Sequence, residues 1–132
     1  MGFGYRKSIL NHTDYIVLSA SFELKKGDKT AIKAKMDDYM ASRKAKQPLE
    51  YPSCGSTFKR PEGSFAGKLI EDCGLKGCSV GGAMVSEKHA GFIINYASAT
   101  SADILALIAF VKKAVCEKTD IMLEEEIKII GE

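Results

Sequence analysis

Chemistry in this chain concentrates in Ser53-Cys54-Gly55-Ser56-Thr57-Phe58-Lys59-Arg60-Pro61. Pro52 and Pro61 bracket the stretch. Gly55, lacking a Cβ, allows a tight turn or close approach to a ligand. Ser56 presents a hydroxyl able to donate and accept hydrogen bonds. Lys59 and Arg60 supply positive charge suited to carboxylate or phosphate, and Arg60 can do so in a bidentate fork. Cys54 is a second candidate, a nucleophile if a base lies beside it, and His89 is the obvious partner. His89 also reads as a polar turn residue bonded to backbone. The plain alternative for the whole stretch is an exposed turn leading into a strand.

These side chains need elements to hold them. Tyr15–Leu24 is rich in β-branched and aromatic residues and reads as a strand. Gly27-Asp28 ends it, and a helix is expected from Lys29 to Lys44, with Ile32, Met36, Tyr39 and Met40 on one face. Its basic end, Arg43-Lys44-Ala45-Lys46, suits a helix C-terminus. Ser64 is placed to cap a short helix, Phe65–Cys73, with Phe65, Leu69 and Cys73 on its inner face and Gly74 as its stop. Gly81–Val85 reads as a strand whose glycines allow close backbone approach. Ser86–His89 is a polar turn, and Gly91–Asn95 returns as a buried strand. Thr100 and Asp103 form a capping-box pattern for a helix over Ser101–Lys118, with Ile104, Ile108, Val111 and Val115 inward. Asp120 closes the next turn, and Leu123–Ile130 reads as a final strand. Short turns favour antiparallel pairing. The class expected is α+β, a small, mostly antiparallel sheet with packed helices.

Composition narrows the role. The 132 residues suit one domain, or one domain with a short piece of another. A hydrophobic share of 45% supports an ordinary core. A net charge of +2 gives no basic face for nucleic acid. No apolar run approaches the roughly 18 residues of a membrane span, and the first residues lack a signal peptide's apolar core. A cytoplasmic protein is expected. Cys54, Cys73, Cys78 and Cys116 contain no C-x-x-C spacing, so no metal site is expected and the thiols should be reduced.

Several stretches together resemble one family. They are G-Y-R-K-S at Gly4–Ser8, C-G-S-T-F-K-R-P at Cys54–Pro61, A-G-K-L-I-E at Ala66–Glu71 with G-L-K-G at Gly74–Gly77, the run Gly81–Asn95, and L-E-E-E-I-K-I-I-G at Leu123–Gly131. In this order they are similar to the UDP-N-acetylenolpyruvoylglucosamine reductase (MurB) family of peptidoglycan synthesis. Family members carry a flavin-binding region ahead of the G-Y-R motif, and this chain starts almost on that motif. The resemblance therefore implies a C-terminal fragment: residues 1–46 as the end of the flavin-binding part, and 47–132 as the substrate-binding domain. FAD and NADPH would serve the intact enzyme, and neither is expected bound to this chain.

The reaction so implied reduces the enolpyruvyl ether of UDP-N-acetylglucosamine enolpyruvate to UDP-N-acetylmuramate. Hydride goes to C3, leaving carbanionic or enolate character at C2 beside a carboxylate. That centre needs a placed proton donor and groups that stabilise the developing charge. By resemblance, Ser56 is the proton donor, Arg6 binds and polarises the carboxylate, and Glu126 holds a proton near the enolate. Tyr5, Lys46 and Arg60 are candidate contacts to the UDP-sugar, while Glu124 and Glu125 are expected merely to face solvent. Two other readings remain at this point. One is a stand-alone nucleotide-sugar or anion-binding module without catalysis. The other is a packing domain, in which Ser56, Arg60 and Glu126 need not converge.

Overall fold

The computed structural model describes residues 1–131. It divides into two units, Met1–Lys33 and the residues from Ala34 onward.

In the first unit, Gly4 and Lys7 exchange backbone hydrogen bonds of 2.9 and 3.2 Å around the two-residue corner Tyr5-Arg6. Ser8 then caps a 3₁₀ turn, Ile9–His12: its Oγ accepts from the Leu10 amide, while the Asn11 side chain returns to the Ser8 amide. The expected strand over Tyr15–Leu24 does not form. Its side chains are open, with Leu18 93% and Leu24 85% exposed. A strand exists only where a neighbour completes its ladder. Among the described residues none pairs with this segment, although its β-branched content is what a strand would use.

Helix α1, Lys29–Lys46, begins at Asp28, whose Oδ1 accepts from the Ala31 amide at 2.8 Å. It runs two residues past the expected end. The stripe Ile32, Met36, Tyr39, Met40 is present at helical spacing but is exposed, not a core face. Periodicity identifies an apolar face without identifying what covers it.

Four short strands make an antiparallel sheet in the order β1-β4-β3-β2: β1 Ser53–Ser56, β2 Ser79–Val80, β3 Ala83–Val85 and β4 Phe92–Asn95. Strand β1 joins the edge through Ser53 opposite Ile94 and Ser56 opposite Phe92, with an irregular register between them. Gly81 and Gly82 turn β2 into β3. A Cβ on Gly82 would lie 2.2 Å from the Ala97 carbonyl oxygen, so the close approach expected of these glycines is real.

Helix α2, Ala66–Asp72, is entered through Phe65, which provides no side-chain cap. The expected Ser64 cap is absent because Ser64 closes a turn onto the Pro61 carbonyl, one residue too early. Phe65 is exposed, whereas Leu69 faces inward as expected, with Ala66 and Ile70 beside it and Cys73 partly buried against the core. Gly74 follows at φ +74°, the left-handed stop expected there. Helix α3, Ser101–Thr119, carries the Thr100–Asp103 capping box and ends on Asp120 at φ 56°. Its inward face is Leu107, Ile108, Val111 and Val115, with Ile104 at the margin. These side chains pack with Phe58, Ile70, Val85, Ile93 and Leu123 into one core.

The expected strand Leu123–Ile130 shrinks to a single bridge, Glu125 opposite Phe58. Ile127 still packs against the core, while Ile129 and Ile130 are exposed. No helix among the described residues is long and apolar enough to cross a membrane.

Candidate functional site

Gly55 adopts φ +83° with open space around its missing Cβ, so its requirement is conformational and not steric. The turn brings Ser56 to the end of β1, half-buried, with Oγ donating to the Phe58 carbonyl at 3.1 Å. Thr57 and Phe58 then pass inward, 3% and 2% exposed. The chain next to Ser56 is thus fixed by core burial.

The C-terminal segment is laid along this loop by two backbone bonds. The Lys59 amide donates to the Glu124 carbonyl at 2.8 Å, and the Glu126 amide donates to the Thr57 carbonyl at 2.9 Å. Glu126 is therefore bonded through its backbone to the residue that follows Ser56. Its carboxyl oxygen Oε2 is closed off from solvent.

Of the other two glutamates, Glu124 is exposed as expected, whereas Glu125 does not simply face solvent. Glu124 forms an ion pair with Lys59. Glu125 is half-buried and pairs at 2.7 Å with Lys112 of α3. The hydrogen bond from Lys112 holds the Glu125 carboxyl below its ordinary range, aided by its own backbone amide and by the charges of Lys112 and Lys59. Neither Thr57 nor Lys112 is singled out by the sequence. Their partners lie 36 and 13 residues away, a separation that motif spacing cannot encode.

Arg60 is exposed but anchored: Nε donates to the Ser64 carbonyl at 3.3 Å, and its guanidinium lies 3.9 Å from the centre of the Phe65 ring. Lys46 is exposed in the last turn of α1. That turn is latched by Lys88, which donates to the Lys44 carbonyl at 3.3 Å and pairs with Glu50 at 2.7 Å. The same contact lowers the Glu50 pKa.

Tyr5 and Arg6 belong to the first unit. Arg6 takes a left-handed conformation, φ 52°, at the corner between Gly4 and Lys7. Its guanidinium bonds the Tyr5 hydroxyl and stands 4.7 Å from the centre of the Tyr5 ring. Both side chains are exposed.

Cys54 is exposed. The His89 ring is committed to the turn before β4: Nδ1 accepts from the Gly91 amide at 3.1 Å, and Phe92 meets the ring edge-on at 4.9 Å. Gly67 and Gly91 leave room for the ring, since a Cβ on either would lie about 3 Å from its Cε1 (3.1 and 3.0 Å). This is the backbone-bonded turn role. Among the described residues no group of three His, Cys, Asp or Glu side chains could hold a metal ion.

The model of the UDP-N-acetylenolpyruvoylglucosamine reductase C-terminal domain matches residues 47–130. A UDP-N-acetylenolpyruvoylglucosamine reductase from Listeria monocytogenes is 60% identical over 128 residues, covering 97% of this chain and 43% of the relative. One from Clostridium novyi is 59% identical over 132 residues, again 43% of the relative. A crystal structure of UDP-N-acetylenolpyruvylglucosamine reductase (MurB) from Thermus caldophilus superposes with a TM-score of 0.64 at 37% identity, covering 80% of this chain and 37% of that one. The chain thus spans less than half the length of these relatives, and over that span both sequence and fold agree: it belongs to the UDP-N-acetylenolpyruvoylglucosamine reductase family.

Proposed function

We propose that this chain supplies the substrate-binding and proton-delivering part of a cytoplasmic reductase that converts UDP-N-acetylglucosamine enolpyruvate to UDP-N-acetylmuramate. Residues 47–132 form the substrate-binding domain, and residues 1–46 belong with the flavin-binding part. The observation that carries this reading is the short ladder between the Ser56 loop and Glu126, built from the Glu126–Thr57 and Lys59–Glu124 backbone bonds.

Hydride comes from outside this chain, by way of the FAD and NADPH that the family implies. The starts of both long helices are poor cradles for a flavin pyrophosphate. Asp28 fills the first turn of α1, and the Asp103 carboxylate, with its pKa lowered by the Thr100 amide, occupies the start of α3. What this chain contributes is the other half of the chemistry. Ser56 donates a proton to C2 of the enolpyruvyl group as C3 gains hydride, and Glu126 holds a proton beside the developing enolate. Arg6 grips the substrate carboxylate with its guanidinium fork. A left-handed arginine at a tight corner is the kind of strained placement that functional sites retain. Tyr5, Lys46 and Arg60 contact the UDP-sugar, and Arg60 is already oriented by Ser64 and Phe65.

The test separates the two half-reactions in the flavin-loaded, full-length reductase. Ser56→Ala should leave flavin reduction by NADPH intact and slow reoxidation by the enolpyruvyl substrate about 10²–10⁴-fold, the usual loss for a positioned acid. Equal slowing of both halves would make Ser56 a structural residue. Unchanged reoxidation would remove it from the reaction.

A further inference from the structure

Thr57 stands between the two groups assigned to proton delivery, and all three of its polar atoms are engaged. Its amide donates to the Gly91 carbonyl at 2.8 Å, its Oγ1 accepts from the Ile93 amide at 3.1 Å, and its carbonyl accepts from the Glu126 amide at 2.9 Å. The residue is 3% exposed. The Gly91 and Ile93 bonds tie it to the entry and the second residue of β4, while the Glu126 bond ties it to the C-terminal segment. Ser56 precedes it directly. One buried residue, by two backbone bonds and one side-chain bond, thus links the Ser56 turn, the sheet and Glu126.

We propose that Thr57 is a positioning residue for proton delivery, its hydroxyl locking the Ser56 turn and the Glu126 segment into one register on β4. The inference rests on the reading that Ser56 and Glu126 deliver the proton. A β-branched side chain suits this place because its χ1 is restricted, which aims Oγ1 without further partners. The Ile93 amide is buried and Oγ1 is its acceptor, so removing the hydroxyl orphans a donor that burial does not tolerate. The strand end then shifts to find another partner, and the Ser56 turn shifts with it. Displacement by about 1 Å is enough to cost about 10²-fold in a step that depends on alignment.

Thr57→Val keeps the shape and deletes the acceptor, whereas Thr57→Ser keeps the acceptor and deletes the methyl group. Amide hydrogen exchange in the 132-residue chain gives a readout independent of any cofactor. With valine, exchange should rise about tenfold or more at both Ile93 and Glu126, while Val85 and Leu107 in the core stay protected. In the flavin-loaded, full-length reductase, valine should slow reoxidation by substrate about 10²-fold and leave flavin reduction by NADPH unchanged. Serine should restore both readouts to within a few-fold of wild type.

Unchanged exchange at Glu126 with valine would overturn the proposal, as would slowing of both half-reactions together. If valine unfolds the core, serine decides alone, and reoxidation as slow as in a Ser56→Ala enzyme would overturn it. The two levels fail separately. Normal reoxidation in Ser56→Ala refutes the proton-delivery reading, whereas slow reoxidation there with normal reoxidation in Thr57→Val refutes only the role of Thr57.

Discussion

A carboxylate can serve as a fixed anion or as a holder of protons, and its immediate partners decide between the two. Glu125 is of the first kind. Lys112 bonds it at 2.7 Å and holds its pKa below the ordinary 4.5. A carboxyl with a depressed folded-state pKa stabilises the fold above its unfolded pKa, and that contribution is lost as pH falls through the folded value. Urea titrations from about pH 6 to about pH 3 should therefore show a stability loss below about pH 4.5 that is smaller in Lys112→Met. Glu125 keeps a 30% exposed side chain, so the difference should not exceed about 1 kcal/mol. An identical pH dependence in the two proteins would show that the pair contributes nothing. The sequence marks Ser56 and Glu126 through the motifs of the resemblance and sets Glu124 and Glu125 aside as solvent-facing, without saying what each of the three glutamates meets. Their separation into two lysine-paired anions and one residue with an oxygen shut off from water depends on Lys59 and Lys112. No local pattern announces those pairings.

The elements differ in how far their own residues determine them. Helix α3 is legible because its capping box and its 3.6-residue apolar repeat are both local. Tyr15–Leu24 and Leu123–Ile130 are not, because a strand's existence depends on a neighbour, and only Glu125 finds a bridge. Glycines give an intermediate case. Gly81 and Gly82 read as sites of close approach, and the β2–β3 turn does press against the residues before α3. Gly82→Ala would place Cβ 2.5 Å from the Ala99 amide nitrogen as well as against Ala97, and both neighbours are backbone. Chemical unfolding should show a loss of about 2–4 kcal/mol, at or above the usual cost of overpacking, because backbone cannot rotate away. Gly55→Ala meets no atom within 4 Å and should cost only the strain of its positive φ, about 1 kcal/mol. Equal costs at the two positions would contradict this division between steric and conformational glycines.

At the scale of the molecule, the chain is a family member spanning 43% of its relatives' length, with apolar side chains of two kinds. Those of α2, α3 and the sheet fill one core. Those of Tyr15–Leu24 and of the α1 stripe are exposed. Both kinds carry the same signal in the sequence, which reports apolar faces and not their cover. What the core does is hold the Ser56 turn against the Glu126 segment through Thr57 and Phe58. The most direct measurement of that arrangement is a double-mutant cycle on the rate of flavin reoxidation by substrate, with Ser56→Ala, Glu126→Gln and the pair in the full-length, flavin-loaded reductase. If the two side chains serve one proton transfer, the double mutant should be about as slow as the slower single mutant. Multiplied single-mutant effects would mean two independent contributions, and would contradict a shared proton-delivery site.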